Sequence, residues 1–501
     1  MSEIVDDPIE VRKAKRQALI DGGTNPYAFS FEVSAKAFEL DERYAALSNG
    51  EVTADVATVA GRIMALRDQG KAAFVVLRDG TGDIQLFCRV DTLGAEAFEQ
   101  LKDLDVGDFV GAEGLVMRTR RGQLSIETSR FELLTKSLRP LPEKFHGLSD
   151  KETRYRQRYV DLVMNPEVKE VFAKRFKIIE AMRREAESRG FIEVETPMLH
   201  PIPGGATAKP FVTQHNALSR DFYMRVAPEL HLKRLLVGGF ERVFEINRCF
   251  RNEGMDHMHN PEFTTLEAYQ AYTDVDGIAE FTREVIQAAC LAANDSLCIE
   301  YQGVEIDLGG TWPVKSMLQL VSETLGEEIS FDCDLEELKS LAKSHHLAIL
   351  PQWGKGKLIG ELFDKLVEPK LVQPVFVSDH PLETSPLAKK NLGNANLTCR
   401  YELFICGREF ANLFSELNDP VDQRERFEAQ LAAKTAGDEE AMGFDDDYIR
   451  ALEYGMPPAG GTGIGIDRLV MLLTNVESIR DVLLFPQMRE ERAHGDGSRE
   501  L

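Results

Sequence analysis

The spacing of apolar positions divides the chain into stretches of different character. Between Pro166 and Arg189 apolar residues fall at Val168, Val171, Phe172, Phe176, Ile179, Met182 and Ala186 with charged residues elsewhere, the stripe of an amphipathic helix. Gly190 ends that helix, and the extended run FIEVETPML follows, with Pro197 limiting its pairing. Pro8 to about Ile20 reads as a shorter helix with Arg12, Lys13, Lys15 and Arg16 on a basic face, preceded by acidic residues that suit a helix start. That face suits either solvent or RNA.

From Thr53 to Leu134 the pattern is one of short β-rich runs: VATVAGRIMALR, KAAFVVLRD, DIQLFCRV, VGDFVGAEGLVMRT and LSIETSRFELL. A helical stretch around Ala95 to Leu101 stands between the third and fourth, an order that suits a five-stranded OB-fold barrel. After the proline-containing SLRPLPEK, long strands (ERVFEINRCFR, EFTTLEAYQAY, NLTCRYELFIC) alternate with helices at Val275 to Ala293 and Leu335 to His345. The second part is therefore expected to be α+β, an antiparallel sheet flanked by helices. The expected division is a helical extension over 1–50, the barrel over 51–136, a linker over 137–150 and the sheet domain over 151–501.

Composition narrows the function. The 501 residues, 43% hydrophobic, are too many for one ordinary domain. A net charge of -24 excludes nucleic-acid binding through a bulk positive field, so any RNA contact must be local. The seven cysteines (Cys88, Cys249, Cys290, Cys298, Cys333, Cys399, Cys406) are odd in number and never spaced as C-x-x-C, which offers neither a disulfide framework nor a zinc site. The acidic N-terminus lacks the apolar core of a signal peptide, and no apolar run approaches the ~20 residues of a membrane span, so a soluble cytoplasmic protein is expected. GGTGIGID has Arg468 where a third dinucleotide-binding glycine would fall, and GKGKL at Gly354 to Leu358 lacks the spacing of a phosphate-binding loop.

Three separated segments carry a more specific signal: the helix ending in GFIEVETPML, the strand-loop-strand FRNEGMDHMHNPEFTTLEAY, and GIGIDRL opening a helix. In this order they resemble the three signature motifs of class II aminoacyl-tRNA synthetases. With an N-terminal OB domain the chain resembles the subgroup serving lysine, aspartate and asparagine, and RPLPEKFHGLSDKETRYRQRYVDL and SELNDPVDQRERF point to the lysine member. The resemblance implies activation of L-lysine by ATP with Mg²⁺ and transfer to tRNA(Lys) by a homodimer. The long helix is the family's dimer element and would expose its apolar stripe if left alone.

The residues make physical sense of that chemistry. Arg251 would bridge the α-phosphate and the substrate carboxylate, which a planar fork of donors can do, and Arg468 would clamp the γ-phosphate over the adenine. Alternation puts Phe263, Thr265, Glu267 and Tyr269 on one face, offering a ring to adenine and a carboxylate to the amino acid. Glu253 and His259, in the loop between the second-motif strands, would also contact ATP, and Asp467 reads as support for the fold. Glu402 and Glu409 match the family's magnesium-binding carboxylates, with Glu402 also at the ATP. Simple alternation puts Glu409 on the face opposite Asn412 and Glu416, so a bulge or turn is expected between them. Glu267, Glu416 and the Tyr269 hydroxyl would receive the ε-ammonium of lysine. Glu229 and the backbone of Gly205 would receive the α-amino group, and Asn412 would aid the carboxylate. In the barrel Arg67, Phe74, Gln85 and Phe87 match positions that read anticodon bases, and Arg118, Arg120 and Arg121 would supply a local phosphate patch. Rival readings are an aspartyl or asparaginyl synthetase, an enzyme that lysylates protein or lipid, and a catalytically silent RNA-binding scaffold.

Overall fold

A computed structural model describes residues 7–142, 148–350, 353–435, 437 and 440–490. The chain forms two compact units, Met1–Ser149 and Asp150–Leu501. Residues 143–147, part of the expected linker, lie outside the described residues, as do the ends of the chain.

In the first unit the strands Val52–Asp68, Ala72–Arg78, Asp83–Arg89, Leu124–Thr135 and Phe109–Arg118 close into a barrel in that order. Alternation sends Val75, Leu77, Ile84 and Leu86 into its interior, where Val59, Ile63, Val110 and Ile126 meet them. The helix Ala95–Lys102 adds Phe98 and Leu101 to the same core. The helix Pro8–Asp21 begins on an Asp7 cap and buries no residue. All four of its basic side chains are engaged within the unit: Arg12 donates to Ser137 Oγ (2.8 Å) and the Val106 carbonyl (3.0 Å), Lys15 pairs with Asp105 at 2.9 Å, Lys13 pairs with Glu10 at 2.8 Å, and Arg16 lies over the Tyr27 ring, 5.7 Å from its centroid. Arg118 is likewise taken up, donating to the carbonyls of Gly122 and Tyr44, which leaves Arg120 and Arg121 exposed on the hairpin.

The second unit is built on an eight-stranded sheet in the order Val314–Ser316, Val375–Ser378, Arg400–Ile405, Arg408–Ser415, Ala459–Gly465, Glu262–Ala271, Arg242–Phe250, Ile192–Glu193. The central pairings are antiparallel as expected, whereas the short outermost strand at each edge runs parallel to its neighbour. The helix Pro166–Ser188 turns Phe172, Ile178, Met182 and Ala186 inward, and Ile178, Met182 and Ala186 pack with Ile278, Phe281 and Val285 of the helix Val275–Asn294. Most of its apolar stripe is therefore covered within the chain, contrary to the expectation of an exposed stripe; Phe176 alone of its large apolar side chains is exposed. The predicted helix at Leu335 is present as Leu335–Ser344, and GKGKL opens the helix Lys355–Leu366. There the backbone N–H groups of Gly354 and Gly356 donate to the Glu383 carboxylate, each at 3.0 Å, so the chain itself fills that helix start.

Candidate active site

The three motif segments meet through one buried ion pair. Arg175, on the long helix, holds Asp467 at 2.6 Å, and the other carboxylate oxygen of Asp467 accepts from the Thr264 backbone N–H at 2.7 Å. Asp467 thus joins the helix, the Glu262–Ala271 strand and the start of the Ile466–Leu473 helix, which is structural support. A second buried pair, Arg225 with Glu245 at 2.7 Å, fastens the adjoining strand Arg242–Phe250, and Thr196 donates to the same glutamate.

Above this frame the sheet opens a cavity of about 400 Å³. It gathers Gly205, Glu229, Arg251, Glu253, His259, Phe263, Glu267, Tyr269, Glu402, Glu409, Asn412, Glu416 and Arg468, residues scattered over more than half of the chain. Alternation along Glu262–Ala271 explains Phe263, Glu267 and Tyr269. Along Arg408–Ser415 the expected irregularity is present: Phe404 pairs with Glu409 and Leu403 with Ala411, so Phe410 is the extra residue of a bulge. That one residue brings Glu409 to the side of Asn412 and Glu416.

At one end of the cavity lie the arginines. Arg251 stacks over the Phe263 ring, 5.1 Å from its centroid, and its buried Nε has no hydrogen-bond partner among the described residues. Arg468 donates to the Glu409 carbonyl at 3.0 Å and to His259 Nε2 at 3.1 Å. A guanidinium only donates, so His259 carries its proton on Nδ1, which faces Asp256 at 3.0 Å. Glu253 and His259 stand exposed on the loop. Glu402 and Glu409 face the cavity beside them; burial first, then the neighbouring Glu402, raises the proton affinity of Glu409. Among the described residues no three acidic, histidine or cysteine side chains cluster as a metal cage. Two carboxylates suit Mg²⁺, which keeps several waters and takes further oxygens from phosphate.

At the other end the cavity is acidic and buried. Glu229, Glu267 and Glu416 are all buried, and the Tyr269 hydroxyl donates to Glu267 at 3.1 Å. Burial, with Glu229 adding to it, pushes Glu267 up to about 8. Burial pushes Glu416 up to about 8 as well, although Lys233 opposes the shift. Glu416 Oε1 has no hydrogen-bond partner among the described residues. The glycines of Ala459–Gly465 make this depth possible: a Cβ on Gly461 would stand 2.1 Å from Glu416 Oε1 and 2.5 Å from the Tyr269 ring. Gly205, at φ +92°, brings backbone against Glu229 where any side chain would strain.

Two residues of this site escaped the sequence reading. Lys233, fully buried on the helix Glu229–Val237, pairs with Glu229 at 2.5 Å and with Glu416. Its position four residues after Glu229 was the available signal. Arg400 pairs with Glu402 and donates to Asn412 Oδ1 at 3.1 Å, fixing two of the expected ligands at once.

In the first unit Arg67, Phe74, Gln85 and Phe87 share the outer face of the barrel. Phe74 and Phe87 are cross-strand partners whose rings stack at 5.0 Å, partly exposed and not in the core. Arg67 is opposite Phe74, and Gln85 is held by Ser125 Oγ at 2.9 Å.

Comparison with known proteins agrees with this geometry. Residues 150–489 match the family described as tRNA synthetases class II (D, K and N), and residues 57–134 match an OB-fold nucleic acid binding domain. The chain is 52% identical to the lysine–tRNA ligase of Pelotomaculum thermopropionicum, over 97% of this chain and 96% of that protein. It is 50% identical to the lysine–tRNA ligase of Oceanobacillus iheyensis, over 98% of this chain and 100% of the relative. With the lysine–tRNA ligase of Bacillus subtilis it shares 49% identity over 97% and 98% of the two chains. The cavity, the barrel and these relatives together establish that the chain belongs to the class II tRNA synthetases of the D, K and N group, among the lysine–tRNA ligases.

Proposed function

We propose that the protein activates L-lysine with ATP to lysyl-adenylate and transfers the lysyl group to the 3′ end of tRNA(Lys). The observation that carries this reading is the fully buried Glu416, whose Oε1 lacks a partner, in one cavity with Glu267, Arg251 and Arg468. An unpaired carboxylate oxygen in a buried site calls for a cation, and an aspartate-selecting pocket would need cations of its own. The lysine ε-ammonium lies against Glu267, Glu416 and the Tyr269 hydroxyl, its α-ammonium against Glu229 and the Gly205 backbone, and its carboxylate near Asn412 and Arg251. The carboxylate oxygen attacks the α-phosphorus of ATP, a P–O bond forms, and pyrophosphate leaves with the electrons of the broken bond. Arg251 spans the α-phosphate and the carboxylate, Phe263 backs the adenine, Glu253 and His259 meet the nucleotide from the loop, and Arg468 holds the γ-phosphate. Glu402 and Glu409 would hold Mg²⁺, which when bound neutralises triphosphate charge. Arg67, Phe74, Gln85 and Phe87 receive anticodon bases, with Arg120 and Arg121 near phosphate.

A second copy of the chain is proposed as partner; exposed Phe176, Ile192 and Phe240 support it. Among the described residues no helix is long and apolar enough to cross a membrane, and all seven cysteines are free, which supports a cytoplasmic setting. The test is transfer of labelled lysine to tRNA(Lys): acid-precipitable label that requires ATP supports the reading, and pyrophosphate exchange without any label on tRNA restricts the protein to the first step.

A further inference from the structure

Lys233 is fully buried, does not line the cavity, and takes no part in the reaction described above. Its Nζ is 2.5 Å from Glu229, pairs also with Glu416, and lies 5.9 Å from the centroid of the Tyr269 ring. One ammonium therefore stands behind three of the groups assigned to the amino acid. The walls around it are apolar: Leu230, Leu236, Phe427, Met442 and Leu452 pack with Tyr269 and Tyr448 into one buried cluster. In such surroundings an uncompensated charge is costly, and charges close in pairs.

We infer that Lys233 is a positioning residue that sets the charge of the amino-acid pocket. Resting on the lysine reading of the site, this inference follows from a count of charges. Glu229, Glu267 and Glu416 bring three negative charges to the deep end, and L-lysine brings two ammonium groups. Lys233 supplies the third cation from the protein itself. The filled pocket is then neutral at this end, while Arg251 meets the substrate carboxylate at the other. A substrate with only an α-ammonium leaves one buried carboxylate unmatched, so Lys233 sharpens the requirement for a second cation on the side chain. Among the described residues, the other charged or titratable groups facing the cluster are Tyr448 and Arg234 beyond Lys233, Arg400 near Glu229, and the Arg225–Glu245 pair and the buried Cys249 thiol near Glu267. Arg225 and Glu245 neutralise each other at 2.7 Å. Arg234 is engaged with Asp445 at 2.8 Å, and Arg400 with Glu402.

Burial already holds Glu267 and Glu416 at about 8 in the empty wild-type pocket, so lysine displaces protons there on binding; removing the cation beside Glu229 and Glu416 makes the empty pocket hold one proton more. The experiment is ATP–pyrophosphate exchange with the full-length protein and its Lys233→Met and Lys233→Arg variants, with KM for lysine and for ATP measured from about pH 6.5 to about pH 8.5. Wild type that exchanges with lysine sustains the underlying function before the variants are compared; wild type that does not refutes that function first. For Lys233→Met the expected result is a lysine KM at least about tenfold higher at neutral pH, falling with pH about tenfold per unit more steeply than in wild type, one extra proton displaced. ATP KM stays within about twofold, and Lys233→Arg returns the pH slope to that of wild type. If Lys233→Met does not fold, Lys233→Gln carries the same test. An unchanged pH slope in the neutral variant, or lysine and ATP KM rising together, overturns the inference.

Discussion

Replacing Glu416 by glutamine removes one negative charge and keeps the shape of the side chain. Glu416 is 1% exposed, its cationic neighbour is Lys233, and its Oε1 has no partner among the described residues. A hydrogen bond to a charged group contributes about 1.5–3 kcal/mol, which converts to a rise of about 10- to 150-fold in lysine KM in pyrophosphate exchange. ATP KM should hold within about twofold, because Glu416 lies at the end proposed for the amino acid and not among the arginines proposed for ATP. Stability should move the other way. Burial pushes Glu416 from 4.5 up to about 8. A carboxyl whose folded pKa is raised contributes its stability fully below the unfolded value and loses it as pH rises through the folded one, here between about pH 4.5 and about pH 8. Glutamine does not titrate and escapes that loss. Thermal melts without ligand should therefore favour Glu416→Gln at about pH 8.5 and show the smallest difference below about pH 4.5, where wild type becomes protonated in both states. Equal weakening of lysine and ATP would refute the assignment, as would a variant that melts below wild type at high pH with lysine KM unchanged.

Gly461→Ala places a methyl 2.1 Å from Glu416 Oε1, so lysine-dependent exchange should fall by about a hundredfold or more while the native circular dichroism spectrum persists. Asp467→Asn breaks the 2.6 Å pair with Arg175 and leaves a buried cation unmatched; urea unfolding should report a loss of about 3–5 kcal/mol, and no change would show that the pair does not join the motifs. Joint replacement of Phe74 and Phe87 by alanine should raise tRNA KM by about tenfold or more, since stacking contributes about 1–3 kcal/mol per base, with tRNA-independent exchange unaffected. Loss of exchange in that variant would contradict the assignment of these rings to RNA.

The second-motif strands were legible because alternation alone sorts Phe263, Glu267 and Tyr269 onto one face, and the bulge at Phe410 was legible as a conflict between alternation and the need to bring Glu409 beside Asn412. Asp467 was read as support, and the 2.6 Å pair with Arg175 is that support. Lys233 was not legible, because a lysine within a helix is ordinarily a solvated cation; its burial depends on strands that the chain supplies nearly two hundred residues later, ending at Glu416. Arg118, Arg12 and Lys15 were read as a face for phosphate or solvent, but open backbone carbonyls and Asp105 hold them within the barrel unit. The exposed apolar stripe expected of the long helix failed for a related reason. Periodicity shows which face is apolar but not whether the chain's own Val275–Asn294 helix covers it.

The central claim is a pocket that selects a side-chain cation, and amino-acid-dependent ATP–pyrophosphate exchange tests it most directly. With Mg²⁺ present and tRNA absent, a panel of lysine, ornithine, arginine, aspartate and asparagine should give strong exchange with lysine, with ornithine the nearest competitor because one methylene is discriminated by only about 1–3 kcal/mol. Exchange driven by aspartate or asparagine, or none with any amino acid, would contradict the account.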